Sequence, residues 1–149
     1  MTTTVEASVE VDAPPERVWE VTSDPRNLPH WDKHIERVWT PSSGLGPGAH
    51  YSIRMRFMAV RSDVEAEVLE WEAPWLSRIR LVGILNATVT TSIASLPFDR
   101  SLLRHEVDYV FKGFLGGFAA RSLSAVGGAQ LALRRGIAAQ KREIEALPR

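Results

Sequence analysis

Between Ile35 and Phe111 the chain alternates apolar and polar residues almost without pause, and after about Phe118 the period lengthens to that of a helix. A two-residue period makes strands with one buried face, and a 3.6-residue period makes a helix with one buried stripe. The strands read as Ile35 to Thr40, Tyr51 to Met58, Val60 to Val68, Ser77 to Val82, Leu85 to Ser95 and Arg100 to Phe111. Turns fall at Pro41 to Gly48, at Ala73-Pro74 and at Pro97-Phe98-Asp99, where Pro and Gly interrupt the alternation. A run of antiparallel strands exposes one apolar face that it cannot bury alone. The helix from Phe118 to Leu147 carries the matching stripe: Ala119, Ser122, Val126, Ala129, Leu133, Ile137, Ile144 and Leu147. A sheet closed over that helix is the economical solution.

The N-terminal segment fits the same plan. Val5, Ala7, Val9 and Val11 alternate with Thr4, Glu6, Ser8 and Glu10, which predicts a strand over Thr4 to Val11. Asp12 is placed to cap a short helix with Pro14 and Pro15 in its first turn, and Val18 and Trp19 on its buried side. Asp24-Pro25 ends that helix, and a second short one follows over Arg26 to Trp31. The expected fold class is therefore α+β: an antiparallel sheet of about seven strands, a long C-terminal helix, and two short helices between the first two strands. With 149 residues and no internal repeat, one domain over 1–149 is expected.

Composition excludes several functions. The absence of cysteine removes disulfides, thiolate metal sites and thiol nucleophiles. Eighteen basic residues balance eighteen acidic ones, so no global charge points to nucleic acid. No apolar run is long enough for a membrane span, and the opening residues do not read as a signal peptide, so a cytoplasmic location is expected. The charge is unevenly spread. From Lys112 onward seven basic residues face two acidic ones, a net +5, and the first 111 residues carry eleven and sixteen, a net −5. A basic helical end suits an anionic membrane or, more plainly, a solvated face, so membrane contact is the lesser reading.

The strand over Arg100 to Phe111 holds the chemistry of most interest. Leu103, His105, Val107, Tyr109 and Phe111 share its apolar face, which places His105 and Tyr109 inward, roughly 13 Å apart along the strand. A histidine there can move a proton near neutral pH, and a tyrosine can hydrogen-bond an enolate or phenolate oxygen. Both can equally be core residues, with His105 neutral and satisfied by a hydroxyl or carbonyl. On Leu85 to Ser95, Thr91 brings a hydroxyl to the inner face, and Asn86 lies beside Gly83 near one end. Small residues thin the first half of the terminal helix, which leaves room for a ligand or allows close packing on the sheet. Trp19 and Trp39 suit the core, and Trp31, at the end of the second short helix, and Trp71 and Trp75, about the Pro74 turn, suit packing or the rim of an opening. His30, Asp32 and His34 are close in sequence, but no third ligand at metal spacing accompanies them, so no metal is expected. The Gly44 to Gly48 loop has no following helix to cradle a phosphate.

The segment VEVDAPPERVWEVTSDPRNLPHW (Val9 to Trp31) resembles the opening of the SRPBCC superfamily, which includes START-type lipid-binding domains, birch-pollen-allergen relatives and bacterial polyketide cyclases. The later phrases PGAHYSIRM and EVLEWEAP, and the Gly-containing entry to the last helix, are similar too. The resemblance implies a helix-grip fold, its curved sheet wrapped around the terminal helix over a deep, mostly apolar cavity. It implies a hydrophobic ligand, polyketide- or lipid-like, with no metal or redox cofactor. Its members either catalyse reactions such as cyclisation and dehydration or only bind and carry. On this pattern His105 and Tyr109 are candidate catalytic residues. The expected lining comprises Trp31, Tyr51, Ile53, Met55, Val64, Ala66, Trp71, Asn86, Val89, Thr91, Val107, Phe118, Ser122 and Val126. The chain departs from the aromatase/cyclase branch in one respect. Its arginines Arg54, Arg56 and Arg61 alternate away from the inner face, where that branch commonly places an arginine. Neither the ligand nor the oligomeric state is set by these features.

Overall fold

A computed structural model describes residues 2–41, 43–113, 116–117, 120–121 and 128–148. Seven strands make one antiparallel sheet: β1 (Thr3–Val11), β2 (Ile35–Trp39), β3 (His50–Phe57), β4 (Val60–Glu72), β5 (Leu76–Val82), β6 (Leu85–Leu96) and β7 (Arg100–Phe111). Their order is β1-β7-β6-β5-β4-β3-β2, so every neighbour except β1–β7 is a hairpin partner. Helix α1 (Pro15–Thr22), a 3₁₀ turn (Pro25–Asn27) and α2 (Leu28–Trp31) lie between β1 and β2. Helix α3 (Gly128–Glu145) is the C-terminal helix. This is the helix-grip arrangement anticipated from the change of period.

Two details of the expected elements differ. Helix α1 starts at Pro15 with Pro14 as its cap and no side-chain cap bond. Asp12 instead gives its backbone N–H to the Glu145 carboxylate at 2.8 Å. Of the expected C-terminal helix, the structure describes α3 from Gly128, which has φ +83°, a left-handed conformation open to glycine. The stripe positions Ala119, Ser122 and Val126 lie outside the described residues, and Leu147 lies beyond the helix, 41% exposed.

Helices pack against both edge strands. Helix α3 packs on β1, α2 packs on β2, and α2 touches α3. On the β1 edge, side chains of α3 meet backbone groups that have no strand partner. Gln130 donates to the Glu6 carbonyl at 2.7 Å and accepts the Glu6 N–H at 3.4 Å, and Lys141 donates to the Glu10 carbonyl at 2.8 Å. An edge strand left bare would be a template for pairing with another chain.

The sheet's outer face carries cross-strand ion pairs. Arg54 stands opposite Asp63, Arg80 opposite Glu67 and Arg78 opposite Glu70, each pair in contact. These exposed pairs each contribute little, but they account for the acidic sheet as a solvated surface. Trp39, expected in the core, lies on this side as well. The Arg37 and Arg54 guanidinium carbons sit 5.0 and 5.3 Å from its ring centre.

On the inner face the residues form rows across the strands. Val107, Val89, Ile79 and Val68 make one row, and His105, Thr91, Ser77 and Trp71 the next. Trp71 reaches this face because of a register shift between Val68 and Glu70. Up to Val68 the even-numbered residues of β4 point inward. The extra residue, Leu69, is 40% exposed and reverses the parity, so Trp71 turns in. Its ring meets Trp19 edge to face at 4.9 Å.

Candidate functional site

The inner face of the sheet and helices α2 and α3 enclose a cavity of about 280 Å³ among the described residues. Its walls are mostly aliphatic and aromatic. Ile53, Met55 and Phe57 come from β3, Ile79 and Leu81 from β5, Ala87 and Val89 from β6, and Leu133 and Ile137 from α3. No lysine or arginine lines it among the described residues, because Arg54 and Arg61 are held on the outer face by Asp63 and Glu36.

Of the expected residues, His105, Tyr109, Trp31, Tyr51, Ile53, Met55, Trp71, Val89, Thr91 and Val107 border this cavity. Three others do not. Val64 and Ala66 are inward but fully packed, flanked in register by the larger Ile53, Tyr51 and Leu81, which stand between them and the space. Asn86 alternates onto the opposite face of β6 from Leu85 and Ala87, and its carbonyl oxygen accepts the Gly83 N–H at 3.4 Å. Phe118, Ser122 and Val126 lie outside the described residues. Trp75, expected near an opening, is 46% exposed and does not border the cavity.

His105 is buried and has a partner on each ring nitrogen. Its Nε2–H donates to Gln140 Oε1 at 2.6 Å, and its Nδ1 lies 2.8 Å from the Thr91 hydroxyl. Gln140 Oε1 can only accept, which places a proton on Nε2, and the Thr91 hydroxyl can pair with Nδ1 in either role. Burial pushes the His105 pKa below the ordinary histidine value, and the Gln140 hydrogen bond opposes that shift without reversing it. A histidine neutral when folded but free to protonate when unfolded makes stability fall as pH drops through the unfolded value near 6.5, by at most about 1.4 kcal/mol per pH unit. Urea unfolding at pH 7.5 and 5.5 checks this. The native chain should lose about 1 kcal/mol more between the two than His105→Gln does, and equal losses would contradict the assignment.

Tyr51 and Tyr109 supply hydroxyls from opposite parts of the wall. Burial pushes the Tyr51 phenol up to about 12, so it remains a hydrogen-bond donor over the whole neutral range. Neither hydroxyl makes a hydrogen bond among the described residues, and both side chains border the cavity. Rings continue from Tyr109 to Phe111 at 5.7 Å, from Phe111 to Phe57 at 5.5 Å, and from Phe57 to His34 at 5.0 Å. One wall is therefore a contiguous aromatic surface.

Helix α2 meets α3 beside the cavity. Trp31 Nε1–H donates to the Glu143 carboxylate at 2.6 Å, and Glu143 also lies 3.3 Å from His30 Nδ1. Gly136 lies against the Trp31 backbone, where a Cβ would stand at ordinary contact distance, 3.4 Å, from the Trp31 carbonyl oxygen. Sequence reasoning missed Gln140, although a polar residue between Ile137 and Ile144 on an apolar stripe was a legible signal. It considered Asp32 and His34 only as metal ligands. In the structure both border the cavity, and His34 is 7% exposed.

The fold of solved proteins agrees with this architecture. The Zhui aromatase/cyclase from Streptomyces sp. R1128 is similar with TM-score 0.76 and 19% identity, covering 97% of this chain and 94% of that one. A START superfamily protein from Mycobacterium smegmatis gives 0.68 and 18%, covering 97% and 99%. A norcoclaurine synthase point mutant from Thalictrum flavum gives 0.66 and 14%, covering 97% and 94%. No curated protein matches the sequence significantly. No helix among the described residues is long and apolar enough to cross a membrane. The family described as polyketide cyclase/dehydrase and lipid transport matches residues 2–145, and with that match over nearly its whole length the chain belongs to this family.

Proposed function

We propose that the chain binds a hydrophobic small molecule, polyketide- or lipid-like, between its sheet and α3, and promotes cyclisation or dehydration of that molecule. The observation that carries the reading is the cavity itself: apolar and aromatic walls that include two tyrosines whose hydroxyls make no hydrogen bond among the described residues. Confining a flexible reactive chain supplies much of what an intramolecular condensation needs, and few catalytic groups are then required. In such a step an enolate carbon attacks a carbonyl of the same chain. The new C–C bond forms as the C=O π bond breaks, and the resulting alkoxide takes up a proton before water leaves. In this reading Tyr109 donates a hydrogen bond to the developing oxyanion. His105 serves as the proton carrier through Nε2 once Gln140 turns aside. Similarity to an aromatase/cyclase and to a norcoclaurine synthase supports a catalytic use of this fold.

A second reading has its own observation. Both nitrogens of His105 are engaged inside the protein, as expected for a carrier or sensor that needs a rigid wall and no base. Incubation with an aryl poly-β-keto thioester, followed by mass detection of the product 18 Da lighter through loss of water, separates the two. A catalyst loses at least about tenfold in rate with His105→Ala or Tyr109→Phe, in the range of single acid–base or oxyanion-binding groups. Turnover indifferent to both substitutions would remove these residues from the chemistry, and probe binding without turnover favours the carrier.

A further inference from the structure

At the end of the aromatic wall farthest from Tyr109, one more titratable pair faces the cavity. Asp32 caps the end of α2 and His34 immediately precedes β2, two residues apart in a tight turn. A single carboxylate oxygen, Asp32 Oδ1, accepts both the backbone N–H of His34 at 2.9 Å and its ring Nδ1 proton at 3.0 Å. The His34 carbonyl accepts the Arg56 N–H at 2.7 Å, which ties the turn to β3. The ring stacks on Phe57 with 24° between the planes and centroids 5.0 Å apart. Backbone, ring plane and tautomer are thus all fixed from one side.

Those contacts leave the other ring nitrogen available. With the proton held on Nδ1 by the carboxylate, Nε2 carries a lone pair, and it has no hydrogen-bond partner among the described residues. The His34 side chain is 9% exposed, whereas that of Asp32 is 39% exposed, so the carboxylate is nearer solvent and the ring nearer the apolar space. The contrast with His105 is direct. His105 has both nitrogens engaged by protein groups, and His34 has one engaged and one presented.

We infer that His34, oriented by Asp32, is a general base facing the cavity, suited to planar hydrophobic substrates that carry an acidic C–H or O–H. The inference rests on the cavity reading above and adds a residue to it. In its step the substrate's C–H or O–H bond breaks, the proton passes to Nε2, and the electron pair remains on the substrate as an enolate or oxyanion. Phe57 and Phe111 supply flat apolar contact for the substrate ring beside the base. Asp32 is a positioning residue, acting on the substrate only through the imidazole.

A probe that needs nothing but a base in an apolar pocket tests this without knowledge of the natural substrate. In 5-nitrobenzisoxazole the base removes the C3 proton, the pair forms the nitrile, and the N–O bond breaks to release a coloured cyanonitrophenolate. The native chain should accelerate this elimination above the same concentration of free imidazole. His34→Ala should lower it at least about tenfold, while calorimetry shows the probe still bound. His34→Gln, which keeps a polar side chain in the turn, gives the same loss if the alanine variant folds poorly. Asp32→Asn should lower kcat and leave KM within about twofold, because it disturbs the base and not the binding wall. Elimination unchanged in both His34 variants, or no elimination by a native chain that binds the probe, overturns the base and leaves the cavity reading standing. A native chain that fails to bind the probe contradicts both.

Discussion

Leu103→Ala is expected to destabilise the chain by about 3–4 kcal/mol, lowering Tm by roughly 10 °C in a thermal melt. Leu103 is wholly buried on β7, between Val9 of β1 and Ile93 of β6 in register. Its cluster includes Val11, Val18 and Trp19 from the N-terminal segment and Ile137 and Ile144 from α3. Truncation removes apolar burial and leaves a void bounded by strands and helix that are tied to one another and cannot collapse freely. The neighbouring Leu102 faces the other side of the sheet and is only half-buried. Leu102→Ala should therefore cost under about 1 kcal/mol. Equal losses at the two positions would mean that the inner face of β7 is not where α3 and α1 meet the sheet.

Val89→Trp is expected to weaken binding of a flat apolar probe at least about thirtyfold while leaving the fold intact. Val89 lies on β6 near the middle of the sheet, between Val107 and Ile79 in register, and its side chain borders the cavity. Overfilling a packed core costs about 1–3 kcal/mol, but here the added indole enters existing space of about 280 Å³. The cost in stability should fall below that range. The ligand loses its place on the central strands, and that loss is the larger effect. A thermal melt close to that of the native chain separates blocked binding from unfolding.

Strand identity was the most legible part of the molecule. Alternation is a local property, so Tyr51, Ile53, Met55 and Phe57 declared their common face without any tertiary information, and so did Leu103, His105, Val107 and Tyr109. What alternation could not show was a register shift. Trp71 reaches the inner face only because Leu69 is extruded from β4, and no residue type in that stretch announces it. Val64 and Ala66 point inward as the pattern says, yet border no space, because depth depends on the size of neighbours on other strands. Asn86 was placed by its nearness to Gly83, and parity alone would have put it on the outer face.

The polar groups were legible in part. His105 stood out as a titratable residue on an apolar strand face, but its partners come from β6 and from α3, 14 and 35 residues away in sequence. Their geometry is a product of the helix closing on the sheet. Asp32 and His34 are near neighbours in sequence, and with His30 they offer no third ligand at metal spacing. Only the turn that lets one carboxylate oxygen accept both N–H groups, with the ring laid against Phe57, gives the pair a different meaning.

Calorimetric titration of the native chain and of Val89→Trp with 1-naphthol, repeated over a range of temperatures, tests the central claim most directly. Entry of a flat apolar molecule into a largely apolar cavity removes nonpolar surface from water, and that gives binding a negative heat-capacity change. The account predicts saturable one-to-one binding with such a change for the native chain, and binding reduced at least about thirtyfold for the variant. Binding of equal strength to both chains, or no saturable binding to the native chain, would contradict it.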